Sequence, residues 1–585
     1  MPPLTDEQVK AILSIDEHVL VSAGAGSGKT FVLVERYIKV LESDNDASVA
    51  DIIAVTYTRK AAEEMRTRLK ARLKEIAASA EGDAAKRWTK CLSEVESARI
   101  GTIHSLCESL LKNYPSEAGI DPGFEILDDL ERAEILAESI DESLHYIIER
   151  TEDEFSELLE FPIEDLRKWI ASFMRSALKY KDSRNRLGDC SQQALTKFAE
   201  AFIEQDIARA LEEYVSDKKL NFEFNYQKDS LWKDPSSKIG LIQTELLSYL
   251  EQIFDKDGKS KAERWDALCA LAKMESARTS GGPAAKELRD SMKVLRGEAQ
   301  LLAKSHSSVI NQADQLSFTL LRALISVTDS ALAKYEALKQ QHQKLDFDDL
   351  IERCQHLLTN NKHALKQISK NLRAVLIDEF QDTNWTQAKL LIALAGEKAK
   401  LFLIGDDKQS IYKFQGADVG TFNACKIYIR SLLDTDKSKH RSCAEQYTLP
   451  VLSGTGQLMT LSQSFRSHPE IVNFVNHLFR TLFDATQESE DYKSRFQALR
   501  PARTGVNDED VRVDVIYTPE IDPETPERSF EIEKIESQLT AQWIKEKVES
   551  GTEIFDKSLN TNRKINYSDF AILLQANSDF AGIEK

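Results

Sequence analysis

The apolar positions of this chain fall into two kinds of run. Short unbroken ones, "HVLV" at residues 18–21, "AVLI" at 374–377 and "KLFLIGD" at 400–406, have the length of buried strands. In others the apolar residues return every three or four positions, as in "FVLVERYIKVL" at 31–41 and "EIEKIESQLTAQWIKEKV" at 531–548, which predicts helices with one buried face. Residues 126–339 are dominated by Glu, Leu, Ala and Lys at helical spacing, interrupted by "SGGP" at 280–283. Strand-like runs therefore flank a long helical stretch, and at 585 residues the chain is too long for one core. The polar "DTDKSKHRS" at 434–442 reads as a surface excursion, and "VRVDVIY" at 511–517 and "DFAILLQANSDF" at 569–580 as the opening of a further domain.

The junction between the first strand and first helix carries chemistry. Residues 22–30 read "SAGAGSGKT": Ala23, four free positions (Gly24, Ala25, Gly26, Ser27), then Gly28, Lys29 and Thr30. This is the P-loop spacing with Ala in its first slot. Glycines let backbone N–H groups converge on an anion, and the helix that follows offers its positive end. In that reading Lys29 reaches the outer phosphates of ATP or GTP and the Thr30 hydroxyl ligates Mg²⁺. A flexible glycine-rich turn is the bland alternative, and the strand before and helix after the loop argue against it.

A P-loop does not choose among kinases, GTPases and motors; downstream carboxylates do. "RAVLIDEFQDT" sets Asp378 and Glu379 at the C-terminal end of a strand, the edge where open α/β sheets bind ligands. Asp378 suits the Mg²⁺ shell and Glu379 can orient and deprotonate water. Without the upstream P-loop the pair would read as a solvated turn. After the strand at 400–406, Gln409 is a candidate sensor of the γ-phosphate, and Tyr412 and Phe414 alternate with Lys413 as a base-stacking surface requires, although core packing would use the same aromatics. Arg466, in "SQSFRS", offers a fork of donors for phosphate, with a surface salt bridge as its alternative.

Charge and cysteine content narrow the picture. A net charge of −19 argues against coating nucleic acid by bulk electrostatics and leaves room for a local basic groove. Seven cysteines without a C-x-x-C pair signal neither a disulfide framework nor a zinc site. No apolar run approaches a membrane span and the N-terminus carries no basic-then-apolar signal, so no membrane partner and a cytoplasmic location are expected.

Taken together these segments resemble the UvrD/RecB family of superfamily-one DNA helicases. "LTDEQ" is similar to the family's adenine-reading segment, with Gln8, and "AGAGSGKT" to its P-loop. "AVTYTRKAAEEMRTRL" at 54–69, with Thr56, Thr58 and Lys60, and "GTIHSLC" at 101–107, with Thr102, His104 and Ser105, resemble its DNA-side motifs. "LDFDDLI", "LIDEFQDT", "IGDDKQSIYKFQGAD" and "SQSFRS" complete the order, over residues 1–130 and 340–585. Within the family the chain looks more like the large subunit of the RecBCD and AddAB recombination complexes, on "HSLCESLLKNYPSEAGIDPGFEILDD".

The resemblance implies an ATP- and Mg²⁺-dependent 3′-to-5′ translocase on single-stranded DNA and duplex–single-strand junctions, with an AddAB/RecBCD-like partner subunit. It implies that Gln381 couples nucleotide to DNA and that Phe465 stacks near the adenine. Phe31, Asp407, Gln415 and Ser464 depart from common family residues and bear on adenine binding and DNA coupling. The implied fold is α/β: a P-loop, RecA-like motor domain (1–125 and 340–482), a large inserted helical domain (126–339), and the start of a second RecA-like domain (483–585). Nothing resembling the family's last two motifs or a nuclease domain follows, so a truncated version of a longer protein is expected. An ATP- and DNA-binding fragment without motor activity, serving as a scaffold, remains the alternative.

Overall fold

In the computed structural model the described residues are 4–150, 155–179, 192–217, 220, 237–255, 258–274, 283–306, 312–396, 398–412, 417–433, 437–484, 496–502, 513, 526–556 and 561–574. The chain divides into two compact units. One comprises Met1–Ser22, Lys29–Thr460 and Asp491–Lys493, the other Ala23–Gly28, Leu461–Glu490 and Ser494–Lys585.

The first unit is organised by a six-stranded sheet. Its strands are β1 (His18–Ala23), β2 (Ile52–Thr56), β3 (Arg99–Thr102), β4 (Ala374–Ile377), β5 (Lys400–Gly405) and β6 (Gly456–Leu461), in the order β3-β2-β4-β5-β1-β6. The pairs β3–β2, β2–β4, β4–β5 and β5–β1 are parallel, with Val55 opposite Ile377 and Leu20 opposite Leu403. Every residue of β1, β2 and β4 is buried, which is why these runs are apolar without alternation: a parallel sheet is covered on both faces. The expected strand at 400–406 ends one residue early, at Gly405. Helices Ile103–Asn113, Phe347–Asn360, Trp385–Ala395 and Val419–Ser431 close over it, placing Leu110, Leu357, Leu391 and Phe422 in one core with Ile53, Val375 and Leu403.

Between residues 129 and 341 the described elements are helical, as the spacing predicts. They build two separate cores. Helices Asp129–Arg150, Ile163–Lys179 and Gln312–Gln341 share one, around Leu144, Ile170, Val327 and Tyr335. Helices Gln192–Ser216, Lys238–Phe254, Lys261–Lys273 and Pro283–Ser305 share the other, around Leu211, Leu250, Trp265 and Leu295. Both ends of the stretch are tied by a short parallel bridge that pairs Glu125 with Lys344 and Ile126 with Leu345.

One sequence expectation needs correction. Within helix Gln312–Gln341, the 26 residues Leu316–Gln341 are long and apolar enough to cross a membrane by length and composition. One face of it instead joins a helical core, with Ala323, Val327 and Ala331 buried among the two neighbouring helices, and Lys339 is buried near its end. The polar segment at 434–442 is also more than a surface excursion: Lys437–Gln446 is a helix with His440 buried.

In the second unit the two-residue strands Gln463–Ser464 and Arg500–Pro501 pair in parallel, and Asn476, on helix Pro469–Asp484, bonds both backbone groups of Leu499. Helix Pro526–Glu549 contains the run at 531–548, and Glu553–Asp556 pairs antiparallel with Thr561–Lys564. The run at 511–517, expected to open a further domain, lies outside the described residues except for Val513. Of the run at 569–580, the described part forms no strand, and Leu573 is almost fully exposed.

Candidate nucleotide and nucleic-acid site

β1 ends at Ala23 and the helix Lys29–Glu42 begins after five more residues, so Gly24 to Gly28 must turn the chain sharply. Gly26 and Gly28 do this at φ +74° and +85°, which side chains rarely tolerate. Within the second unit the 461–466 segment runs along this loop. The Phe465 N–H donates to Gly26 O (2.8 Å) and the Gly24 N–H to Leu461 O (3.1 Å). A Cβ at Gly26 would stand 2.7 Å from Arg466 Cβ and 2.8 Å from Ser464 Oγ, so backbone conformation and space both demand glycine. Arg466 itself is exposed and Phe465 half-buried. Lys29 and Thr30 open the helix, where N–H groups lack intrahelical partners and anions are favoured.

In the first unit Lys29 faces the end of β4. Asp378 is buried, its backbone N–H bonded to Val55 O, and its Oδ1 accepts the Glu379 N–H at 3.0 Å. Glu379 sits in the left-handed region at φ +49°. Its Oε2 accepts from Lys29 Nζ and, at 2.8 Å, from Gln381 Nε2. The other end of the Gln381 amide accepts the Asp406 N–H (2.9 Å), and Asp406 Oδ2 accepts from Gln409 Nε2 (2.7 Å). Gly405 has no room for a Cβ because Gln381 Oε1 occupies that position. An unbroken hydrogen-bonded line thus runs Lys29–Glu379–Gln381–Asp406–Gln409. Asp407 is held by Lys426 (2.9 Å). Burial, then the charge of Glu379, pushes the Asp378 carboxyl up to about 6, and the same causes push Asp382 up to about 6. Such a carboxylate pair beside a lysine can hold a divalent cation and orient water.

The residues expected on the DNA side divide by exposure. Thr56 is buried and its hydroxyl donates to Thr58 O, so that side chain is spent internally. Thr58 caps helix Arg59–Ser79 and Thr102 caps Ile103–Asn113 through bonds to Ala61 N–H and Ser105 N–H, while Lys60 and Ser105 are exposed. His104 packs edge-on against Phe347 (5.3 Å between centroids), and Tyr412 lies over Tyr57 (4.5 Å). Burial holds the His104 imidazole below its usual range. A cavity of about 250 Å³ is lined by Tyr57, Arg59, Thr102, His104, Ser105 and Phe347, among others. Sequence reasoning did not single out Tyr57, Arg59 and Phe347, although each lies inside a family-like motif; the alternation of aromatic and hydroxyl residues in "TYTR" was the available signal. Phe414 and Gln415 lie outside the described residues. Gln8 is buried and its Oε1 accepts the Thr5 N–H (3.1 Å) in a capping box on helix Asp6–Leu13.

Residues 4–427 match the family model described as the UvrD/REP helicase N-terminal domain. Among curated relatives, the A subunit of the ATP-dependent helicase/nuclease of Natranaerobius thermophilus is 29% identical over 97% of this chain and 46% of its own length. Its namesake from Bacillus cereus is 27% identical over 98% of this chain and 47% of its own. The chain spans about half the length of these relatives. With a P-loop, a strand-end Asp-Glu pair and an aromatic cavity on one α/β frame, and a family match over residues 4–427, the chain belongs to the UvrD/REP helicase family.

Proposed function

We propose that the chain carries the motor of an ATP-dependent DNA helicase of the recombination type, moving 3′ to 5′ on single-stranded DNA. Residues 1–125 and 340–482 serve as the first motor domain, 126–339 as a helical insertion and 483–585 as the start of a second. The observation that carries the reading is the line Lys29–Glu379–Gln381–Asp406–Gln409, which joins the P-loop to the segment bearing Tyr412. Exchange of Lys29 from Glu379 to a phosphate would be felt at Gln381 and Asp406, and so at the aromatic segment.

ATP would be held by the loop from Ala23 to Gly28, by Lys29 and Thr30, with Gln8 and Phe465 toward the adenine. Mg²⁺ would be held by Asp378 and Thr30 together with phosphate and water oxygens. Asp378 fits this role, because burial first and then the charge of Glu379 disfavour its bare carboxylate, and a cation would offset both. When bound, the ion supplies charge neutralisation at the transferring phosphate. Glu379 orients the attacking water and takes its proton, Gln409 senses the γ-phosphate, and Arg466 adds positive charge. Lys60 neutralises backbone phosphate, while Tyr57, Tyr412, His104 and Phe347 stack bases without reading them. The relatives are named as one subunit of a helicase/nuclease, which supports a partner subunit for this chain.

The test is ATP hydrolysis with and without oligo(dT), and unwinding of duplexes carrying a 3′ or a 5′ tail. DNA-stimulated hydrolysis and unwinding from the 3′ tail support the reading. Binding of ATP and DNA without turnover would leave a scaffold, and unwinding from the 5′ tail would overturn the polarity.

A further inference from the structure

The wall of the aromatic cavity is built where the helical stretch rejoins the sheet domain. Phe347 is the first residue of helix Phe347–Asn360, and Ile126 belongs to the Glu125–Ile126 bridge. The direction in which Phe347 leaves its helix is set by the first turn, and that turn is fixed by a reciprocal capping box. Asp346 Oδ1 accepts the Asp349 N–H (2.8 Å) and Asp349 Oδ2 accepts the Asp346 N–H (2.9 Å).

Both capping carboxylates are buried, and two such charges in one turn repel each other. Lys339, near the end of the last helix of the insertion and 2% exposed, answers both. Its Nζ lies 3.1 Å from Asp346 Oδ2 and 2.5 Å from Asp349 Oδ2, with Glu336 at 3.0 Å, and sits 4.7 Å from the centre of the Tyr335 ring. Tyr335 OH donates to the same Asp346 oxygen (3.2 Å). A buried ion cluster is weak support for stability, since apolar side chains of similar volume often do as well; its usual merit is fixing one geometry among several. Here the geometry fixed is the turn that aims Phe347 at His104.

We infer that Lys339 is a positioning residue for single-stranded DNA: from the helical insertion it locks the Asp346–Asp349 cap and thereby sets the Phe347 wall of the base cavity. Movement of the insertion's last helix is then transmitted to base stacking through a buried ammonium group, which reaches both capping carboxylates, and through the Tyr335 hydroxyl beside it. This rests on the reading of the cavity as a single-strand site.

The experiment is a double-mutant cycle on the full chain, with affinity for fluorescein-labelled oligo(dT) read by anisotropy and affinity for a fluorescent ATP analogue as control. Phe347→Ala should weaken oligo(dT) binding by about fivefold or more, the loss of one stacking platform. Lys339→Met should weaken it by roughly threefold or more, and the double variant should bind no more weakly than Phe347→Ala alone, because both act through the same ring. Nucleotide affinity should not change, and Lys339→Arg, which keeps the charge, should recover most of the loss. If Lys339→Met does not fold, Asp346→Asn, which keeps a capping acceptor but loses the charge facing Lys339, should show a smaller loss with the same non-additivity. Additive losses, or oligo(dT) affinity unchanged by either substitution in folded protein, would overturn the positioning role while Phe347→Ala still weakens binding. If Phe347→Ala itself binds oligo(dT) like the wild type, the single-strand reading of the cavity falls, and the role of Lys339 with it.

Discussion

Replacing Glu379 by Gln should separate nucleotide binding from turnover in opposite directions. The Glu379 carboxylate is in contact with Lys29 Nζ, whose side chain is 12% exposed, and also accepts from Gln381. A lysine so engaged must leave its carboxylate before it can serve a phosphate. At a separation of about 3 Å and an effective dielectric near 20, the bare attraction is about 5 kcal/mol. The carboxylate is 36% exposed, however, so solvent screens most of this, and about 1 kcal/mol survives as net pairing. Glutamine keeps a carbonyl for Lys29 and Gln381 but removes the charge, and with it the repulsion of an incoming phosphate. ATP–Mg²⁺ should therefore bind about fivefold more tightly to Glu379→Gln. Turnover should fall by about 100-fold or more because the amide cannot take a proton from water. Titration calorimetry gives the first quantity and single-turnover hydrolysis the second. Affinity that is unchanged or weaker in a folded variant would show that the Lys29–Glu379 pair does not oppose binding, and undiminished turnover would put the base elsewhere.

Gly26→Ala should lower nucleotide affinity at least tenfold: φ +74° costs a side chain about 1–2 kcal/mol, and the added Cβ meets Arg466 Cβ at 2.7 Å. Wild-type affinity by calorimetry would refute the close approach. Tyr412→Ala, which removes the ring lying over Tyr57, should cost about 1–3 kcal/mol for single strands of any sequence, whereas Lys60→Ala should instead reduce the salt slope of binding by about 0.7. A Tyr412→Ala effect confined to one base would contradict stacking. His18 is fully buried, its Nε2 donating to Ser453 O and its Nδ1 accepting the Leu401 N–H, so a second ring proton would face a donor; burial first, then Lys400, lowers its pKa to about 4. The unfolded chain takes up that proton near pH 6.5 and the folded one only near 4, so stability should drop as pH falls through this window, by up to about 3 kcal/mol. Thermal melts of wild type and His18→Gln at pH 7 and 4.5 should show a smaller acid loss in the variant; parallel losses would exonerate His18.

The sequence by itself determined the elements that depend on local physics. Three apolar runs are strands because a parallel sheet buried on both faces accepts only such runs, and "GAGSGK" is a loop because Gly26 and Gly28 alone suit its φ values. It could not reveal which side chains the fold brings together or turns inward. That Lys29 meets Glu379, that Gln381 bridges it to Asp406, and that Thr56 is turned inward follow from the order in which β2, β4, β5 and β1 lie side by side, which no local periodicity encodes. The same holds for the helix at 316–341, whose composition fits a bilayer equally well. Its packing against two other helices, and a lysine whose charge is met by Asp346 and Asp349 on the next element, decided its place, because burial of a charge is tolerated only where tertiary structure brings the counter-charges to it.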